Sequence, residues 1–132
     1  MSNNLDQTLA NAILTALTGG TALSITAPVK LRLMGTNGSA TANGTEITAG
    51  GGYTAGGQTT ASTWGASSGG SITNSAAAIT WTNMPAATIV GVELWDSAAT
   101  PKRIAWSTIT SRTTVAGDTL TFATSSLSLT LN

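Results

Sequence analysis

The sequence predicts an all-β protein, an antiparallel β-sandwich or jelly-roll-like barrel of about seven to eight strands behind one short N-terminal helix. Three observations carry this expectation. Beyond Pro28 the apolar residues recur every second position, the spacing of half-buried strands. Gly- and Asn-containing turns punctuate these runs at short intervals. No helical pattern separates one run from the next, which argues against parallel βαβ units and for antiparallel neighbours.

The first element is the helix. Leu5, Leu9, Ile13 and Leu17 are spaced by four, and Leu14 widens the stripe. Asn3 or Asn4 is expected to cap its start, Asp6 to favour the positive end of its dipole, and Gly19-Gly20 to stop it. Its opposite face, Gln7, Thr8, Asn11 and Thr15, is polar but uncharged. We therefore divide the chain into an amphipathic helix over residues 1–20, either a lid on its own sandwich or an anchor in a partner's groove, and one sandwich domain over residues 21–132.

Val29, Leu31 and Leu33 alternate with Lys30 and Arg32, a strand with one wet face. Residues 35–58 read as loop, with a small hairpin possible at Asn43-Gly44 and glycines around Tyr53. Strands are expected at Thr59–Trp64 and at Ser71–Trp81, the latter broken near Asn74. Thr88–Trp95 is the most hydrophobic run, and Arg103–Thr110 alternates after it. Leu120 with Phe122, and Leu127 to Leu131, complete the set.

Composition narrows the function. The chain has 132 residues, 5 Lys+Arg, 5 Asp+Glu and neither His nor Cys. That length suits one domain and needs no metal or disulfide to fold. Without imidazole or thiol, Ser-His-Asp and Cys-His catalysis and the common zinc sites are excluded. Charged residues make up 8% of the chain, against about 25% in an ordinary soluble domain. A surface so poor in charge, at zero formal net charge, suits a subunit covered by its neighbours in an assembly. Scattered Lys and Arg predict no nucleic-acid partner, and no apolar run is long enough to span a membrane. The first residues lack the basic stretch of a secretion signal, so the expectation is assembly in a cytoplasm.

Candidate chemistry is sparse. Glu93 and Asp96 flank Trp95, but at that spacing they fall on opposite faces of a regular strand, and we read them as solvated charges at a strand end. The Gly50–Gly57 segment lacks the helix and the Lys-Ser/Thr that a phosphate-binding loop requires. The acidic residues lack calcium-loop spacing. No catalytic residue, cofactor or metal is expected. Trp81 and Trp106 are expected first in the core, because a chain with a single Phe must fill its interior with other rings, with subunit contact and sugar binding as the alternatives.

Several motifs follow one another along the chain: the helix Leu5 to Leu17, the strand Val29 to Leu33, Glu46 before Gly51-Gly52-Tyr53, and Gly69-Gly70-Ser71-Ile72-Thr73-Asn74-Ser75-Ala76. Ile89 to Asp96, Gly117-Asp118-Thr119, Phe122 and the alternating leucines from Leu127 continue the pattern. Taken in this order, they resemble a family of small structural proteins of tailed bacteriophages, which includes tail-fibre-like proteins and head decoration or cement proteins. The chain departs from it after Tyr53, where Thr54 to Gln58 holds no basic residue, and at Pro101-Lys102-Arg103, where glycines are usual. The resemblance implies a non-enzymatic virion protein, foremost a decoration protein that binds the major capsid protein on the outer head surface as a homotrimer and stabilises the shell by mass action. The expected contacts are Leu5, Leu9, Ile13 and Leu17 with the Lys30/Arg32 face. The alternative it implies is a tail-tip or fibre component that binds host carbohydrate through Tyr53, Trp64 or Trp95.

Overall fold

A computed structural model describes residues 4–131. Its elements are β1 (Asn4–Leu5), α1 (Gln7–Leu17), β2 (Lys30–Thr36), β3 (Thr45–Glu46), β4 (Gln58–Thr59), β5 (Ser71–Thr73), β6 (Ile79–Met84), β7 (Ala87–Trp95), β8 (Arg103–Thr114), β9 (Asp118–Phe122) and β10 (Ser128–Thr130). All pairings among them are antiparallel. The architecture is the expected all-β sandwich with a short N-terminal helix.

One layer is a sheet in the order β1-β8-β7-β2-β3, with β4 also on β2. The pairs β6-β9 and β5-β10 pack against it. Register explains which residues meet. Leu31 lies opposite Leu94, and Leu33 opposite Val92, so one face of β2 and β7 is aliphatic. Across the core, Ile79 pairs with Phe122 and Trp81 with Leu120. Trp81 meets Phe122 edge-on, with ring centroids 6.0 Å apart and planes at 78°, and Tyr53 lies 6.4 Å from Trp81 on another side. Leu33, Met84 and Ile89 are fully buried among these rings.

Several expectations need correction. The Thr59–Trp64 strand shrinks to β4, after which the chain turns: the buried Thr60 accepts from the Trp64 indole and donates to the Val29 carbonyl. The local alternative to the ladder comes from Thr63, whose amide and hydroxyl both donate to the Thr60 carbonyl. Tyr53, expected in a loop, is 2% exposed. Gly52 permits this, because a side chain there would run into the Thr82 carbonyl. Trp81 is core, whereas Trp106 is only half-buried and its indole nitrogen has no hydrogen-bond partner among the described residues. Leu5 belongs to β1 rather than to the helix. The helix is capped by Asp6, which accepts from the Thr8 and Leu9 amides at 2.8 and 3.3 Å. Of the caps proposed, Asn4 pairs with β8 and Asn3 lies outside the described residues.

Candidate functional site

The face of β2, β7 and β8 that points away from the aliphatic core carries Arg32, Glu93, Trp95 and Arg103. In most antiparallel sheets such a face would be wet. Here the Asn37–Gly44 loop and the start of α1 cover it, and Glu93, Trp95 and Arg103 are buried.

Arg103 organises this layer. Its Nε and Nη2 donate to Asp6 Oδ2 at 2.9 and 2.7 Å, and Nη1 donates to Glu93 Oε1 at 3.0 Å. The two remaining N–H groups go to the Ala42 and Ser39 carbonyls, so all five donors are satisfied. The side chains of Arg103 and Glu93 are 2% and 1% exposed. One guanidinium against two carboxylates leaves an excess negative charge, and neutral donors stabilise it. The Thr8 and Leu9 amides at the positive end of α1 serve Asp6, while the Gly44 amide (2.7 Å) and the Trp95 indole (2.9 Å) serve Glu93. Gly38 is required beside this cluster, since a Cβ there would collide with Glu93 and Arg103. Glu93 is thus not the solvated charge expected, and its committed oxygens leave no acid–base pair with Asp96.

Asp96 is buried too. Its carboxylate accepts from the Thr26, Ala98 and Lys102 amides. Burial alone would raise its pKa, but those amides and the Lys102 charge outweigh it and hold the carboxyl below its ordinary range. The Ser97 amide in turn donates to the Thr26 carbonyl, and the Ser97 hydroxyl donates to that of Pro28. The turn after β7 therefore fixes the chain at Thr26–Pro28.

Around Arg32 the contacts are looser. Its guanidinium lies 4.2 Å from the centre of the Trp95 ring, and 3.7 Å separates it from Glu46. Glu46 also accepts from the Tyr53 hydroxyl (2.6 Å) and the Gly56 amide, and Tyr53 in turn accepts from the Leu33 amide. Burial first, then the Glu46 hydrogen bond, push the Tyr53 phenol far above its usual range. With its ring and hydroxyl inside, Tyr53 has no face for a sugar. Trp95 is 9% exposed and covered by Arg32 on one face, and of the three aromatic candidates only Trp64 is as open as half-buried. Lys30 is half-buried beside them.

The helix stripe divides along its length. Leu9 is buried, and Leu5 and Ile13 pack partly on the core, but Leu14 and Leu17 are 62% and 77% exposed. Exposure then continues without a break through Pro28, including Leu23 and Ile25. From Thr21 to Ile25 no backbone group bonds to the described residues. No charged residue occurs between Asp6 and Lys30. The molecule thus presents a firmly rooted, uncharged and largely apolar arm. Sequence spacing located the stripe but not the clamp beneath it. The signal available was the position of Glu93 and Arg103 inside hydrophobic strands of a chain with very few charges.

No curated protein matches the chain. The family model described as Podophage GP4 fiber I protein gp80 matches residues 4–130, nearly the whole length, in accord with the phage resemblance of the motifs. The chain belongs to that family of phage fibre proteins, which makes it a structural protein of the virion.

Proposed function

We propose that this chain is a non-enzymatic, self-associating subunit of a fibre-like appendage of the particle, built in through α1 and the arm that follows it. The observation that carries the reading is the charge-free run from Leu14 to Pro28, exposed without a break from Leu17, on a root held by two buried clusters. A free domain would lose nothing by placing charges there. An assembly subunit gains, because covering Leu14 and Leu17 is worth roughly 1.5–3 kcal/mol each when burial is complete. The family description favours a fibre location over the head.

A second reading, decoration of the outer head through the major capsid protein, is favoured by the globular sandwich and the low charge. The same arm would serve it, and the mechanism would be preferential binding to the assembled shell.

Imaging particles that carry a small tag after Thr130, combined with the copy number per particle from quantitative mass spectrometry, decides between the two. The fibre reading expects density at the tail or its junction and a few dozen copies at most. Several hundred copies spread over the head would replace it with the decoration reading, and absence from purified particles would overturn both.

A further inference from the structure

The chain contains two Asn-Gly steps, Asn37-Gly38 and Asn43-Gly44, and both lie in the loop that covers the buried clamp. Such steps are chemically fragile. The glycine nitrogen, once deprotonated by solvent base, attacks the asparagine Cγ. A new C–N bond forms to the backbone, the bond to the carboxamide nitrogen breaks, and ammonia leaves. Water then opens the five-membered imide to aspartate or to isoaspartate, whose backbone runs through one extra carbon. Glycine favours the attack because no side chain crowds its nitrogen.

The two asparagines are alike: both are exposed, and neither carboxamide is hydrogen-bonded to a described residue. The two glycines differ. The Gly44 amide donates to Glu93 Oε1 at 2.7 Å, whereas the Gly38 amide meets no acceptor among the described residues. To attack, the Gly44 nitrogen must give up a bond to a buried carboxylate. Glu93 is not free to act as the base, because its Oε1 also accepts from Arg103 and its Oε2 from the Trp95 indole.

We propose that Asn37 is a site of spontaneous conversion to isoaspartate in the folded protein, with water as the co-reactant, and that this conversion loosens the root of α1, while Glu93 protects Asn43. The inference holds wherever in the particle the chain sits.

The loop has no slack for a longer backbone. A Cβ on Gly38 would stand 2.5 Å from Glu93 Oε1 and 2.6 Å from Arg103 Nη1, and one on Gly44 would stand 3.0 Å from the Gly38 nitrogen. The same loop fixes the start of the helix. Its Ser39 and Ala42 carbonyls accept from Arg103, which holds the Asp6 cap, and its Ala40 carbonyl accepts from the Gln7 amide at 3.0 Å. An extra backbone carbon at residue 37 displaces these acceptors. The Asn37 side-chain oxygen rests on Gly91, two residues before Glu93 on the same strand. A new carboxylate there adds negative charge to a cluster that already carries one in excess.

The test holds full-length protein at mildly alkaline pH, folded or in urea, and follows conversion at each asparagine by peptide mass spectrometry. In the folded chain Asn37 should convert roughly tenfold or more faster than Asn43, because a hydrogen bond to a charged group outweighs one decade in rate. In urea the two rates should become comparable. Converted protein should exchange its Gln7 and Leu9 amides faster than fresh protein, whereas an Asn37→Ala chain aged in parallel should show no change. Equal rates in the folded chain, faster conversion at Asn43, or a bias as large in urea would each overturn the proposal. So would unchanged exchange at Gln7 and Leu9 in protein converted at Asn37.

Discussion

At its start, α1 is held by Asp6, which caps the helix and binds a fully satisfied, buried Arg103; two turns later Leu14 and Leu17 stand 62% and 77% exposed. Between these two regions the ionic residues are the buried ones and the aliphatic residues the open ones. For a monomer that is the reverse of the usual distribution. It is reasonable when the first region sets where the arm leaves the body and the second is completed by another molecule. A buried ion pair is a poor source of stability but an effective way to fix one geometry, and that is the role we assign to Arg103.

The contrast can be broken most severely at Arg103. Arg103→Met leaves Asp6 and Glu93 buried without their cation, and about 3–5 kcal/mol of stability should be lost in urea unfolding. Combining it with Asp6→Asn and Glu93→Gln should recover a large part of that loss, which separates charge burial from packing. Asp6→Ala removes both the cap and one arm of the clamp, and about 2–3 kcal/mol is expected, with hydrogen exchange in α1 rising first. Tyr53→Phe strips one acceptor from the buried Leu33 amide and one donor from Glu46, which should cost about 1–2 kcal/mol without touching the arm.

Acid sharpens the comparison from the other end of the arm. The Asp96 pKa is lowered by folding, so its contribution is fully present above the unfolded-state value and is lost as pH falls through the lower folded value. Exchange at the Thr26 and Lys102 amides should therefore rise only below the ordinary aspartate range, and Asp96→Asn should show the same loosening at neutral pH. The smallest expected effect is on the exposed stripe. Leu14→Ser with Leu17→Ser should change monomer stability by no more than about 0.5 kcal/mol per site, because little contact is removed. Deleting residues 1–20 would be a poor substitute, since it also strips Asp6 from Arg103.

The strands were legible wherever a period of two was unbroken. Val29 to Leu33, Thr88 to Trp95 and the Leu120/Phe122 pair fall as expected, because the hydrophobic pattern fixes which face is buried. What failed were places where side chains overrode the pattern. Thr63, donating its amide and hydroxyl to the Thr60 carbonyl, turned a Thr-rich strand into a corner, and Tyr53 carried a glycine loop into the core by bonding to Glu46 and Leu33. The Asp6–Arg103 contact joins residues 97 positions apart, which no local spacing can announce. The helix stripe was seen whole in the sequence, yet the fold uses only its first half. The half left over is where the candidate site lies.

Incorporation into virions of a Leu14→Ser/Leu17→Ser/Leu23→Ser/Ile25→Ser chain, produced in place of the natural one, bears most directly on the account. The expected result is a folded protein, with the natural circular dichroism spectrum, that is missing from purified particles. Recovery of that chain in particles at the natural copy number would show that the exposed arm does not build this protein into the virion.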